Sequence, residues 1–267
     1  MENILKKIID KKKERVIEYK NKFLINTLLN NIKDINFFSD FKKKMKKRDS
    51  ENKISIIAEI KKASPSAGLL VKDFDPLNIA KIYIENGASF LSVLTEEDFF
   101  LGKLDYIQNI KNVYKVPILC KDFFIDTYQV ALAKSYGADC ILIILAATDK
   151  SLAKDLYQAA NELNISTIIE VHSPKEAELS LSFEKSIIGI NNRNLKSLEI
   201  SLNTSVEISK IVKFHSNPLV CESGIGSVDD LKFIINKTKI RNFLIGESLL
   251  TSNNISAELK KYTEISL

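Results

Sequence analysis

Charged residues stand directly after short apolar runs at several places in the chain. Lys121 follows the apolar run 118–120, Glu59 and Lys61 close a second run, and Glu170 closes a third. Lysine and glutamate are rarely buried without a partner, but at the carboxyl end of a barrel strand such a side chain faces the substrate. Lysines and carboxylates gathered in one desolvated site would have shifted pKa values and could supply a general acid and a general base.

Short apolar or β-branched runs recur from residue 55 onward and alternate with amphipathic stretches. The runs lack a two-residue alternation, which is typical of parallel strands covered on both faces. A single barrel of this kind typically takes about 250 residues, and the chain has 267. The alternation therefore predicts an α/β fold, a (β/α)₈ TIM barrel, and the chain has no G-x-G-x-x-G motif for a dinucleotide-binding sheet. The predicted strands are 56–60, 90–94, 117–121, 140–145, 167–171, 186–191, 219–222 and 242–246, and the predicted helices are 76–86, 103–113, 126–136, 150–163, 174–181, 204–212, 227–236 and one after Asn254.

Five of these eight strands end in residues that could do chemistry. Besides the three described above, one ends at Asn191 and Arg193 and another at Glu222 and Ser223. A single charged residue at such a position commonly marks only where a strand leaves the core. Because the pattern is repeated, and because the carboxyl ends of barrel strands meet at one face, we expect these side chains to share one site.

The first 50 residues contain helical patterns and no strand. Apolar residues spaced three and four apart predict an amphipathic helix over 4–19 and a second helical stretch over 26–47. We therefore assign residues 1–50 to an N-terminal helical extension and residues 51–267 to the barrel catalytic domain, within a single domain overall.

The net positive charge belongs to this extension. Residues 1–50 hold 15 of the 39 basic and 7 of the 34 acidic residues, a net charge of +8 against −3 for the rest. The basic cluster 42–48 is either a nucleic-acid patch or, as we expect, a solvated helix face with few interleaved aromatic residues.

The composition predicts a cytoplasmic globular protein. Hydrophobic residues make up 45% of the chain, and no apolar run approaches the roughly 18 residues that span a membrane. The chain start lacks the apolar region of a secretory signal. Three widely spaced cysteines indicate small buried hydrophobes rather than disulfides or zinc ligands, and the two histidines, His172 and His215, are predicted to be bystanders.

Glycines follow the last two predicted strands, at 222–226 and 244–248. Loops after the seventh and eighth barrel strands, together with a helix N-terminus, form the usual phosphate site of this fold, and glycines let backbone N–H groups approach an anion. Ordinary turns between strand and helix are the alternative. We expect a phosphorylated small-molecule substrate.

Five motifs lie along the predicted barrel: IAEIKKASPS at 57–66, LSVLTE at 91–96, LCKDF at 119–123, GINNRNL at 189–195 and ESGI at 222–225. In this order and spacing they resemble the indole-3-glycerol-phosphate synthase family, and the resemblance covers about residues 55–250. The helical extension also resembles that of the family, where it borders the mouth of the barrel, so deleting residues 1–45 is predicted to raise KM.

The resemblance implies closure of the indole ring in tryptophan biosynthesis, without a cofactor or metal. The substrate would be 1-(2-carboxyphenylamino)-1-deoxyribulose 5-phosphate, and the products indole-3-glycerol phosphate, CO₂ and water. By this resemblance Lys121 is the general acid of ring closure, and Glu170 serves the dehydration. Lys61 meets the substrate carboxylate and shares in proton transfer, while Glu59 and Asn191 position the substrate hydroxyls and the lysines.

The remaining implied site residues hold the phosphate, line the anthranilate pocket or complete the polar ring. The phosphate residues are Ser64, Gly224, Gly246 and Ser248, with Ser223 also in contact with substrate; the pocket residues are Phe100, Phe123 and Leu142; the polar ring is completed by Glu222 and Arg193. Leu101 stands where the family frequently has glycine, and Glu247 lies inside the phosphate loop, where we expect it to point outward.

Two alternatives are weighed against this hypothesis. Another phosphate-binding barrel, such as phosphoribosylanthranilate isomerase, needs a cysteine–aspartate acid–base pair for which no motif is found, and it leaves the first 50 residues unexplained. A nucleic-acid-binding protein using residues 42–48 would leave the strand-end charges unused. We expect no nucleic-acid or membrane partner and a monomer, with a weak dimer as the other possibility.

Overall fold

The computed structural model describes residues 4–35, 37–195 and 197–265. The strands are β1 (Ser55–Ile60), β2 (Ala63–Ser64), β3 (Gly68–Leu69), β4 (Phe90–Leu94), β5 (Ile118–Lys121), β6 (Cys140–Ile144), β7 (Ser166–Val171), β8 (Ile187–Asn191), β9 (Leu219–Glu222) and β10 (Asn242–Ile245). Eight of them run parallel and form a closed barrel in the order β1, β4, β5, β6, β7, β8, β9, β10 and back to β1, and β2 pairs with β3 in a small antiparallel hairpin.

Helices alternate with the barrel strands and cover them. Several begin at a side-chain cap: Asp75, Asp149, Ser173 and Ser227 each accept a hydrogen bond from a backbone N–H of the first turn. The helices are α1 (Ile4–Lys22), α2 (Ile25–Asp34), α3 (Phe41–Ser50), α4 (Pro76–Glu85), α5 (Asp105–Val113), α6 (Tyr128–Ser135), α7 (Lys150–Glu162), α8 (Pro174–Ser180), α9 (Asn203–Ile211), α10 (Val228–Thr238), α11 (Glu247–Leu250) and α12 (Ile255–Thr263).

The predicted (β/α)₈ barrel is confirmed, and each predicted barrel strand starts and ends within one residue of an observed one. The prediction of a single helical stretch over 26–47 is wrong, because α2 and α3 are separate helices. Asp40 begins α3 by accepting a hydrogen bond from the backbone N–H of Lys43 at 2.8 Å. The hairpin of β2 and β3 was not predicted, since strands of two residues have no periodicity to detect.

Helix α3 closes the amino-terminal end of the barrel. Phe41 and Met45 are fully buried against the interior side chains, and the ring of Phe41 lies 4.4 Å from that of Phe90 on β4. The basic cluster 42–48 lies in this helix, and two of its side chains form hydrogen bonds with the barrel. Lys44 donates to the carbonyl of Ser89, and Arg48 donates to Ser55 Oγ.

Helix α1 lies at the opposite end, beside the loops that follow β4 and β5. Lys12 pairs with Asp122 at 2.7 Å, and Arg15 pairs with Asp98 at 2.8 Å. Further along the helix, Lys20 pairs with Asp126. In the described part of the chain, no helix combines the length and the apolar character that crossing a bilayer requires.

Candidate active site

Lys121 lies at the centre of the barrel mouth, at the last position of β5. Its Nζ is 2.8 Å from Glu170 Oε2 on β7 and 2.6 Å from Glu222 Oε2 on β9. Burial by itself would lower the pKa of Lys121, but the charges of Glu170, Glu222 and Glu59 outweigh it and raise the pKa above its ordinary value. The lysine is therefore a cation held between two carboxylates that come from different strands.

The two carboxylates have different environments. Although burial alone would raise the pKa of Glu170, Lys121 and His172 outweigh it and hold the pKa well below its ordinary value. Burial raises the pKa of Glu222 to about 7, and the charge of Glu170 adds to this rise against the attraction of Lys121. At neutral pH Glu170 is thus ionised, while Glu222 is close to the point where it gains a proton.

Glycine makes room for Glu222 at the bottom of the site. A Cβ at Gly189 would lie 2.2 Å from Glu222 Oε1. That oxygen is buried and has no hydrogen-bond partner among the described residues. A side chain at position 189 would therefore displace the carboxylate from Lys121.

Glu59 and Lys61 form a second charged pair at the end of β1. Lys61 Nζ lies 2.5 Å from Glu59 Oε1, and both side chains are largely buried. A Cβ at Gly246 would lie 2.5 Å from the same Glu59 oxygen. A side chain after β10 would therefore force Glu59 to shift.

These residues surround one cavity of about 420 Å³ at the carboxyl ends of the strands. Every candidate site residue predicted from the sequence lines it: Glu59, Lys61, Ser64, Phe100, Lys121, Phe123, Leu142, Glu170, Asn191, Arg193, Glu222, Ser223, Gly224, Gly246 and Ser248. In the described part of the chain, no group of three His, Cys, Asp or Glu side chains is arranged to hold a metal ion.

One side of the cavity is apolar. The rings of Phe100 and Phe123 lie 6.3 Å apart, and Leu142 contributes from the barrel interior. Ile4 and Ile8 of α1 also line the cavity. This side could receive a flat aromatic ring, and α1 supplies part of its wall.

The other side contains the glycine-rich loops. Ser223 and Gly224 both have positive φ, 64° and 86°, and a Cβ at Gly224 would lie 2.6 Å from Ile200 Cγ2. Ser248 Oγ donates to the carbonyl of Ile225 at 3.0 Å. Glu247 is half-exposed and lies 3.4 Å from an Arg193 nitrogen, so its charge faces a cation at the edge of the loop.

Sequence reasoning missed three contributors to the site. His172 was expected to be a bystander, yet its Nε2 lies 3.1 Å from Glu170 Oε1. Asp122 joins Lys12 to the strand end that bears Lys121. The sequence does hint at His172, because it stands two residues after Glu170. Nothing in the sequence around Lys12 indicates that its partner is Asp122.

The family comparison agrees with this geometry. The model of the indole-3-glycerol phosphate synthase family matches residues 5–262. The chain is 39% identical over 259 residues to the indole-3-glycerol phosphate synthase of Aliarcobacter butzleri, covering 97% of this chain and 98% of that one. It is 40% identical over 258 residues to the enzyme of the same name from Alkaliphilus metalliredigens, covering 97% of each.

Solved structures of more distant proteins share the fold. A 3-hexulose-6-phosphate synthase superposes with a TM-score of 0.62 at 14% identity, covering 79% of this chain and 99% of that one. The orotidine 5'-monophosphate decarboxylase of Methanocaldococcus jannaschii gives a TM-score of 0.59 at 15% identity, covering 79% and 97%. At such identities the likeness shows the barrel alone.

A closed barrel with a lysine between two carboxylates at its mouth defines a TIM-barrel enzyme built for proton transfer in an enclosed cavity. The matching family model and the two relatives identify the family within this class of enzymes. The chain belongs to the indole-3-glycerol phosphate synthase family, and it is accordingly a carboxy-lyase of tryptophan biosynthesis.

Proposed function

We propose that Lys121 is the proton donor in the family's reaction, the conversion of 1-(2-carboxyphenylamino)-1-deoxyribulose 5-phosphate to indole-3-glycerol phosphate, CO₂ and water. The supporting observation is its ammonium group, held by Glu170 and Glu222 at the centre of the cavity. Ring closure places negative charge on the ribulose carbonyl oxygen as the aromatic carbon attacks. An ammonium oriented in a desolvated site stabilises that charge strongly and then protonates the oxygen.

Lys61 is proposed to meet the carboxylate that leaves as CO₂. It lies at the end of β1 on the same cavity as the apolar wall of Phe100 and Phe123, where the anthranilate ring would lie. Glu59, 2.5 Å from Lys61, and Asn191 would hold the lysines and the substrate hydroxyls in place.

Glu170 is proposed to act in the loss of water. This step breaks the C–O bond of the hydroxyl that ring closure formed and removes a proton from the neighbouring ring carbon. An ionised carboxylate accepts that proton, and Lys121 or Lys61 protonates the leaving hydroxide. The low pKa of Glu170, set by Lys121 and His172 against its burial, keeps it in the form this role requires.

The glycine-rich side is proposed to hold the substrate phosphate, through Ser64, Gly224, Gly246 and Ser248. All four line the same cavity as the aromatic wall. The loops after β9 and β10 occupy the usual phosphate position of this fold. Arg193 and Ser223 would complete the polar surroundings of the sugar and phosphate, with Glu222 below them.

We also propose that residues 1–50 form one domain with the barrel and that α1 borders the bound substrate. The support is the burial of Phe41 and Met45 in the barrel and the ion pairs of α1 with the mouth loops. Deletion of residues 1–45 would remove both the wall and the base, so single substitutions are the sharper test of α1.

A monomeric, cytoplasmic enzyme is the further proposal. Its three cysteines are free and buried, as expected where thiols stay reduced. Sedimentation of the purified chain would test the monomer.

Replacing Lys121 by alanine tests the central role. We expect kcat for indole-3-glycerol phosphate formation to fall by at least about a thousandfold, because both the charge and the proton are lost. Steady-state fluorescence of the indole product measures the rate, and circular dichroism checks the fold. Lys53→Ala, at an exposed lysine paired with Glu51 next to α3, is the matched control. Activity of Lys121→Ala within a few-fold of the unmodified enzyme would contradict the assignment.

A further inference from the structure

His172 is buried in the wall of the site and has no part in the roles assigned above. Its side chain is 8% exposed, and its Nε2 lies 3.1 Å from Glu170 Oε1. The other oxygen of the same carboxylate, Oε2, lies 2.8 Å from Lys121 Nζ. Glu170 is therefore placed between two nitrogen groups, one on each oxygen.

Glu176 holds the opposite side of the histidine. His172 Nδ1 lies 3.4 Å from Glu176 Oε2, and the backbone N–H of His172 donates to the same oxygen at 2.8 Å. Glu176 is in the first turn of α8, which Ser173 caps, so the helix sets its position. Among the described residues, neither ring nitrogen has hydrogen-bond geometry to a carboxylate, so these are contacts of charge, and an imidazole between two carboxylates is stabilised in its protonated form.

Opposite charges consequently alternate across the wall of the barrel. Glu170 on β7 and Glu176 on α8 are the charged groups that face the imidazole, and Lys121 on β5 lies beyond Glu170. Removing the positive ring from this row would leave Glu170 with a single cation, Lys121, which it shares with Glu222.

We propose that His172 is a positioning residue whose imidazolium, held by Glu176, fixes the orientation of the Glu170 carboxylate and keeps it ionised as the proton acceptor of the dehydration step. This inference rests on the proposed role of Glu170. His172 does not line the cavity; it acts on the reaction through the carboxylate that Lys121 also contacts.

The acid–base properties support the same arrangement. Burial alone would lower the pKa of His172, but its contacts with Glu170 and Glu176 outweigh it and raise the pKa to about 9. Burial would likewise raise the pKa of Glu176, yet its contacts with His172 lower it. A raised histidine pKa means that the stabilising charge is present at neutral pH and is lost as the pH rises through about 9.

The first experiment compares His172→Gln with His215→Gln. His215 is the chain's other histidine; it contacts the carbonyl of Ser186 at the start of β8 and does not line the cavity. For His172→Gln we expect kcat at neutral pH to fall roughly tenfold with KM within about twofold, since an interaction with the reacting groups is lost rather than substrate affinity. The low-pH side of the kcat profile should move up by about one pH unit, because Glu170 loses a neighbouring cation. His215→Gln should leave both quantities unchanged.

An unchanged kcat in His172→Gln, or a fall in kcat with no movement of the pH profile, would overturn the inference and leave His172 a packing residue. If the unmodified enzyme forms no indole-3-glycerol phosphate, the proposed function itself is wrong. That result is distinguishable from a failure of the His172 inference, which needs an active unmodified enzyme.

A second measurement needs no substitution at His172. In His215→Gln without an affinity tag, the one remaining imidazole can be titrated by NMR. We expect its titration near pH 9, and a lower midpoint when Glu176→Gln is added. Titration near the ordinary value of about 6.5 would show an uncharged ring at neutral pH and would overturn the proposal even if His172→Gln failed to fold.

Discussion

The two ends of the barrel are closed by different kinds of contact. At the base, Phe41 and Met45 of α3 are completely buried among the interior side chains. At the mouth, α1 buries Ile8 and Val16 and adds ion pairs with the neighbouring loops, including Arg15 with Asp98. Apolar contacts of the first kind are independent of salt and of moderate pH changes, whereas partly exposed ion pairs are weak and screened.

This difference places the contacts that stabilise the fold at the base of the barrel and those that border the active site at its mouth. The base must never open, so close packing suits it. The mouth must admit a substrate and release its products, and ion pairs that water and salt can replace suit a helix that borders this entrance. Lys12 with Asp122 is the exception, because its side chains are only 4% and 9% exposed and neither charge is replaced cheaply.

The largest expected effect is at the base. Phe41→Ala should lower the free energy of unfolding by about 3–5 kcal/mol, because it leaves a cavity against Phe90 that the barrel cannot fill. Denaturant unfolding measures it, and kcat at a temperature where the variant is folded should stay near that of the unmodified enzyme. Phe214→Ala, at a residue 87% exposed, is the control and should change little. A large loss of kcat in folded Phe41→Ala would break the separation.

At the mouth, Lys12→Met should detach α1 rather than unfold the barrel. The change leaves Asp122 without its cation, a loss of about 3 kcal/mol at the contact. We expect faster proteolytic cleavage near α1 and a KM several-fold higher, with the thermal midpoint of the barrel little changed. Lys13→Met, at an exposed lysine paired with Asp10 on the same helix, is the matched control. Equal proteolysis of the two variants would argue against the role of Lys12.

Ser248→Asp places a negative charge at the proposed phosphate site. We expect KM to rise about tenfold with a smaller change in kcat, since two like charges a few Å apart repel each other by roughly 1–2 kcal/mol in a partly desolvated site. Ser182→Asp, at an exposed serine between α8 and β8, controls for the added charge. A KM unaffected by Ser248→Asp would count against this phosphate loop.

The smallest effect is expected at Leu101, which lies in the loop after β4 with a φ of 54°. A leucine is strained there, so Leu101→Gly should stabilise the protein by about 0.5 kcal/mol after the entropy cost of glycine is included. Leu181→Gly is the control, because Leu181 is similarly exposed but has a φ of −62°. Stabilisation in both variants, or in neither, would refute the strain.

The sequence predicted the site best where the barrel topology alone brings the residues together. Lys121, Glu170 and Glu222 could be placed together because parallel barrel strands bring all their carboxyl ends to one face. Nothing local could pair Lys12 with Asp122, since this contact depends on where α1 lies. The predicted helical stretch 26–47 runs through Asp40, which the structure shows to be the cap that begins α3.

Two of the eight glycines limit how this site can be changed. Gly189 borders Glu222, and Gly246 borders Glu59, each within 2.5 Å of the carboxylate measured from the position of a Cβ. The positions of the two carboxylates therefore depend on the absence of a side chain on a neighbouring strand. For an engineer reshaping this pocket, or for natural drift of the chain, these positions should tolerate as little variation as the acids themselves, although neither glycine has a functional group.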